Sequence, residues 1–316
     1  MRKKVFVTGA TGYVGGRLVR HLSDKGHEVI GTTRKDRTPP RGWPSHAQLV
    51  RFDSLSSETE GGELLEGVDV VVHLAAANEL RSSQDPEAAM LETCGGTRRL
   101  LEAAISRSVS RFLFMSTVHV YGSPLKGHYD ETTPTRAAHP YSVTHKAAED
   151  YVLAARDAGK IDAVCIRLSN AIGAPAWMDV DRWTLVGNDL ARQAVSTGKM
   201  LLRTPGQWRD FVPMQDVCRG IELLLGKKYP ADGLLNLGGD FPARIVEIAE
   251  MMKEAARTSL GRDVTIVSQG TTEGDTAPQY TLSTSRMQQI GYAPSGRAGL
   301  EAELRKMFAL LAEGGD

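Results

Sequence analysis

Three glycines, in Gly9-Ala-Thr-Gly12-Tyr-Val-Gly15, are the first residues here whose type and spacing point to chemistry. They follow a short β-branched run at residues 5–8 and open a helical pattern. Gly9 permits a tight turn, Gly12 lets backbone approach a pyrophosphate, and Gly15 allows close helix–strand packing. The helix amino terminus adds unpaired N–H groups and partial positive charge, so a dinucleotide is the expected ligand. An acidic residue for the adenosine ribose is expected about 20 residues on, at the tip of the second strand. The sequence there reads Gly31-Thr-Thr-Arg34-Lys35, with no carboxylate at the tip. Arg34 and Lys35 suit a 2′-phosphate, so NAD(P) is expected with NADP mildly favoured; two solvated basic side chains explain the same pattern about as well. Asp53, just after the third strand, is placed to meet the adenine edge.

These residues need a sheet to hold them. The first half alternates short apolar runs with helical patterns, which argues for a parallel sheet covered on both faces. Strands are expected at 5–8, 28–33, 48–52, 68–74, 111–116 and 162–168, with helices at 12–25, 86–107 and 140–158. Beyond residue 170 the pattern loosens. A helix is expected within 185–197, a strand leading into a helix over 211–225, and short strands at 234–237 and 264–267. Helices at 245–256 and 299–311 complete the reading. The fold class is α/β: a Rossmann-like doubly wound parallel sheet with a smaller mixed α/β carboxy-terminal lobe. Residues 1–168, with a return segment near 211–238, form the dinucleotide-binding domain, and 169–316 mainly the substrate-binding lobe.

Composition narrows the partners. Lysine plus arginine and aspartate plus glutamate number 38 each, and no basic stripe is interleaved with aromatics, so nucleic acid is not expected. The longest apolar runs, such as 68–77, are far too short to cross a bilayer, so no membrane partner is expected. Cys94, Cys165 and Cys218 stand among apolar neighbours, which suits buried free thiols in a reducing cytoplasm. A chain of 316 residues can bury a large core without disulfides, and no metal is expected.

Further along, Thr8-Gly-Ala-Thr-Gly-Tyr-Val-Gly15 is joined by His73-Leu-Ala-Ala-Ala77, Gly96-Thr97, Ser116-Thr117, Val120-Tyr-Gly122, Tyr141, Arg167, Asn170, Arg209-Asp-Phe-Val212, Asn236-Leu-Gly238 and Gly291-Tyr-Ala-Pro294. Together and in this order they resemble the extended short-chain dehydrogenase/reductases, the NAD-dependent epimerase/dehydratase family, over nearly the whole chain. The resemblance implies cofactor contacts from Gly9, Thr11, Gly12, Tyr13, Val14, Gly15, Leu74, Ala75, Ala76 and Ala77. It implies a sugar or nucleotide-sugar substrate, with Asn170 and Arg209 on its diphosphate. It also implies a homodimer built through the helices at 86–107 and 140–158.

By the same resemblance, Thr117 and Tyr141 do the proton chemistry, and a lysine four residues after the tyrosine lowers its pKa and holds the nicotinamide ribose. This chain departs from that pattern. It reads Tyr141-Ser-Val-Thr-His145-Lys146, and on a helix the fifth residue is rotated about 100° away from the face that the fourth shares with Tyr141. His145 is therefore expected at the cofactor ribose and beside Tyr141. The acid–base pair of the sugar dehydratases falls on Val118 and His119. Val118 has no proton to give, so 4,6-dehydration is not expected, while His119 remains a candidate acid or base. The expected function is an NAD(P)-dependent epimerase or ketoreductase working by hydride transfer on a sugar. The His145 replacement also opens a second reading, a non-catalytic dinucleotide sensor or scaffold, against which the retained Thr117 and Tyr141 argue.

Overall fold

The structure is a computed structural model that describes residues 1–35, 38–55, 62–226, 229, 232–269 and 279–313. The first strands are β1 (Lys4–Thr8), β2 (Glu28–Thr33), β3 (Gln48–Arg51), β4 (Val70–His73) and β5 (Arg111–Thr117). Then come β6 (Gly127–Tyr129), β7 (Asp162–Leu168), β8 (Asn170–Ile172), β9 (Lys199–Leu202) and β10 (Trp208–Pro213). The last are β11 (Leu234–Leu237), β12 (Pro242–Arg244), β13 (Thr265–Ser268) and β14 (Tyr280–Leu282). Seven form one sheet in the order β11-β7-β5-β4-β1-β2-β3. Each neighbouring pair in it is parallel.

Alternation along the strands explains why helices cover both faces. In β1, Val5 and Val7 point into a core shared with Leu18 and Leu22 of the helix Tyr13–Asp24. Phe6 points the other way, onto Leu100, Ala104, Ala148 and Val152. Both sets are apolar, so neither face can be left in water.

The expected strands at 28–33, 162–168 and 234–237 appear with those bounds, and Leu234–Leu237 adds the outermost strand beside β7. The strand Trp208–Pro213 instead leaves the main sheet and pairs with β8 and β12 in a separate three-stranded sheet. A second correction concerns 86–107, expected as one α-helix. It consists of α-helix Pro86–Met90, a π turn Leu91–Gly95 and α-helix Gly96–Ser106. The π turn falls where Thr93 accepts the N–H of Ala77 at 3.0 Å.

Beyond β7 a second core gathers Leu190, Met200, Phe211, Ile248, Met252, Leu304 and Phe308. One ion pair stitches it to the sheet unit. Arg17, on the first helix, grips Glu303 of the helix Gly296–Glu313 through two bonds of 2.8 and 2.7 Å. The Glu303 side chain is 1% exposed, so this is a buried, bidentate charge pair. The three cysteines are buried and free, as expected. Among the described residues no helix is long and apolar enough to cross a membrane.

Candidate active site

A cavity of about 640 Å³ opens where the carboxyl ends of β1, β2, β4 and β5 meet β8, β10 and the segment 179–187. Ligands of open parallel sheets bind at this end.

The glycine turn forms its floor. Gly9 has φ +66°, and a side chain there would come within 3.1 Å of the Ala75 backbone nitrogen. A side chain at Gly15 would sit 2.1 Å from the Gly9 carbonyl oxygen. Gly12 is the N-cap of the helix Tyr13–Asp24, with no side-chain cap and no acid in the first turn. An uncapped, acid-free amino terminus facing a cavity is what a pyrophosphate requires, so the turn fits a dinucleotide.

A buried hydrogen-bond chain fixes the neighbouring turn, 74–77. The N–H groups of Leu74 and Ala75 both donate to Thr8 Oγ1, at 3.1 Å each. With both lone pairs used, the Thr8 hydroxyl donates to His73 Nδ1 at 2.7 Å. His73 Nε2–H then donates to Thr97 Oγ1 at 3.0 Å, and Thr97 donates to the Thr93 carbonyl at 2.5 Å. Every proton has one place to go, so His73 is neutral with its hydrogen on Nε2. Burial agrees, pushing its pKa down to about 3.

Tyr141 stands in the first turn of the helix Pro140–Asp157. His139 caps that turn: its Nδ1 accepts the Tyr141 N–H at 3.2 Å, and Ser142 Oγ accepts the His139 N–H at 3.1 Å. A buried pair ties the helix to β7, with Arg167 donating to both Glu149 oxygens at 3.0 and 2.8 Å. Tyr141 and Thr117 both line the cavity. Burial and the Glu79 carboxylate push the phenol up to about 12, against the pull of Arg182 and side-chain hydrogen bonds from Thr117 and Arg182.

His145 shares the cavity wall, 3% exposed, its ring 4.2 Å from that of Tyr141. Its Nδ1 donates to the Tyr141 carbonyl at 2.8 Å, which leaves Nε2 as an acceptor. Burial pushes its pKa down to about 4, so it carries no charge at neutral pH. Lys146 is turned out to an ion pair with Asp150 on its own helix. With His145 neutral and Lys146 turned outward, neither residue offers Tyr141 a cation from this helix.

At the other end, Arg209 Nη1 donates to Asn170 Oδ1 at 3.1 Å and Nη2 to Gln207 at 3.2 Å, and Asn170 is held by the Asp210 carbonyl at 3.0 Å. His119 lines the cavity with its pKa lowered by burial, and by Arg209. Val118 is 1% exposed and packs with Tyr121, Tyr280 and Leu282, away from the cavity.

Of the expected site residues the cavity gathers Gly9, Thr11, Gly12, Tyr13, Val14, Gly15, Arg34, Lys35, the turn 74–77, Thr117, His119, Tyr141, His145, Asn170 and Arg209. Asp53 is the exception. Its carboxylate accepts the Leu55 N–H at 3.0 Å in its own turn, while Phe52 and Ser54 take the wall. Arg34 is paired with Glu92. Sequence reading missed Glu92, Asn78 and Glu79. The signal for Glu79 was there: Asn78 is a good N-cap, and it accepts the Arg81 N–H at 2.8 Å to start the helix Glu79–Gln84. Trp177, Trp183 and Trp208 are absent from the cavity wall; Trp177 instead donates to the Thr11 carbonyl at 3.0 Å and packs on Trp43.

The chain is similar to known proteins over nearly its whole length. An uncharacterized UDP-glucose epimerase of Bacillus subtilis is 28% identical over 97% of this chain and 98% of its own length. A dTDP-glucose 4,6-dehydratase of Streptomyces griseus is 27% identical, over 93% of this chain and 90% of its own. The crystal structure of the UDP-glucuronic acid 4-epimerase of Bacillus cereus, in complex with UDP-glucuronic acid and NAD, superposes with a TM-score of 0.81. It is 25% identical, with 98% of this chain and 99% of that one covered. The family model described as NAD dependent epimerase/dehydratase matches residues 5–238. The chain thus belongs to the NAD-dependent epimerase/dehydratase family of extended short-chain dehydrogenase/reductases.

Proposed function

We propose that this protein is a nucleotide-sugar epimerase that oxidises and re-reduces one carbinol carbon without net change of its dinucleotide. One observation carries the reading. Thr117 and Tyr141 face the same cavity as the glycine turn and the Asn170–Arg209 pair, while the position used for acid chemistry in dehydratases holds the inward-facing Val118. When bound, the oxidised dinucleotide supplies a hydride acceptor and a positive charge near the phenol.

The protein's own residues do the rest. Arg209 and Asn170 hold the diphosphate, and Thr117 hydrogen-bonds the reacting oxygen. Tyr141 takes the hydroxyl proton as the carbon becomes a ketone and returns it when the carbon is reduced from its other face. His145 accepts from a ribose hydroxyl through Nε2. Residues 1–168 with the return segment near 211–238 serve the dinucleotide, and 169–316 mainly the sugar. A homodimer would cover Leu91, Val143 and Tyr151, three exposed apolar residues on the helical run 86–106 and the helix Pro140–Asp157.

Purified protein incubated with UDP-hexoses or UDP-hexuronic acids and followed by proton NMR should interconvert epimers with no added cofactor. Tyr141→Phe should lose about 100- to 10,000-fold in turnover. A 4-keto-6-deoxy product, or a stoichiometric demand for reduced cofactor, would replace this reading with dehydration or ketoreduction.

A further inference from the structure

The helix that carries Tyr141 offers it no cation. Its next-turn neighbour is the neutral His145, and Lys146 faces outward on Asp150. The charged and titratable groups around the phenol come from other elements: Glu79 of the helix Glu79–Gln84, Arg182 of the segment before the helix Val186–Thr197, and His119 after β5. Arg209 of β10 stands beyond His119 and is held by Asn170.

Resting on the epimerase reading, we propose that Arg182 is the positioning residue that supplies Tyr141 with positive charge, clamped in place by Glu79. Two independent anchors set it there. Its Nη1 donates to Glu79 Oε2 at 2.6 Å. Its backbone carbonyl accepts from Asn188 Nδ2 at 2.9 Å, and the same amide accepts the Tyr13 hydroxyl at 3.2 Å through Oδ1. Asn188 is 1% exposed, so Arg182 is braced by a buried bridge that begins at Tyr13 in the phosphate turn.

Charge around the phenol divides accordingly. Beyond burial itself, Glu79 disfavours the phenolate while Arg182 and the Thr117 bond favour it. Removing Arg182 leaves a carboxylate facing the group that must become an anion. A lysine on the tyrosine's own helix would be in place whenever the helix is; Arg182 arrives with the other lobe. Tyr141 thus takes its positive charge from the 179–187 wall rather than from its own helix.

The test reads ionisation directly, in the absence of cofactor and sugar. With 3,5-difluorotyrosine incorporated at position 141, whose phenol is more acidic than tyrosine's, fluorine NMR follows the titration below the pH of alkaline unfolding. Arg182→Gln should raise the midpoint by about one pH unit. Arg182→Lys should stay near the parent value, and His145→Lys added to Arg182→Gln should bring the midpoint back down. An unchanged or lowered midpoint in Arg182→Gln overturns the proposal. Should the protein epimerise no nucleotide sugar, the proposed function falls while these shifts still decide the role of Arg182.

Discussion

The two walls of the cavity are built on different principles. At the glycine turn and the 74–77 turn the sheet-side wall presents mainly backbone and small side chains. The lobe-side wall presents long charged or amide side chains, Arg182, Arg209 and Asn170, each oriented by a partner distant in sequence. Asn170 and Arg209 are 39 residues apart, and Glu79 and Arg182 are 103 apart. The first wall is generic to a dinucleotide, whose pyrophosphate and ribose do not vary. On the proposed reading, the second chooses the sugar and sets the charge on one phenol, and long polar side chains do that by the company they keep.

Breaking each wall should therefore have a different signature. The largest effect is expected from Gly15→Val, because the new side chain meets the Gly9 carbonyl and displaces the turn itself. Calorimetry should show dinucleotide affinity falling by about 100-fold or more, roughly 3 kcal/mol. On the lobe side, Arg209→Ala should raise KM for a nucleotide sugar by roughly 10- to 100-fold, the scale of one or two charge-assisted hydrogen bonds, and leave dinucleotide affinity unchanged. A fall in dinucleotide affinity there would merge the two walls into one.

Acid sharpens the contrast further. His73 and His145 are held neutral by burial, with pKa values pushed down to about 3 and about 4. Above an ordinary histidine pKa of about 6.5 neither contributes to pH dependence. As pH falls from there towards 4, the unfolded chain takes up these protons before the folded one, so stability drops. Urea unfolding should show that loss between about pH 6.5 and 4, and His73→Gln should flatten the slope. The smallest effect belongs to cofactor choice. Arg34 is already paired with Glu92, so a 2′-phosphate must compete with that carboxylate. Glu92→Gln should shift the NADP/NAD affinity ratio towards NADP by about fivefold, near 1 kcal/mol; no shift would mean that Arg34 does not reach the adenosine ribose.

The sheet side was also the readable side. Strands at 28–33, 162–168 and 234–237 are apolar runs that stay strands because both faces are covered, and a local pattern suffices to mark them. The three-residue strands Gly127–Tyr129, Asn170–Ile172, Pro242–Arg244 and Tyr280–Leu282 carry no such pattern and exist because a distant segment pairs with them. The catalytic candidates were readable from motif order, whereas Asp53 was placed by proximity to a strand end. Its carboxylate instead satisfies its own turn, a frequent fate of Asp in loops. Arg182 needed the fold, since nothing in its neighbouring residues tells that Glu79 waits across the cavity.

The Arg17–Glu303 clasp imposes an order on synthesis. Arg17 leaves the ribosome 286 residues before its carboxylate, whereas the apolar neighbours of its helix in the sheet, Val5, Val7 and Val72, are made long before Glu303. Until the closing helix arrives, that guanidinium must stay in water, because burying it alone would cost several kcal/mol. The face of the first helix that carries Arg17 therefore stays open until the helix Gly296–Glu313 has been made.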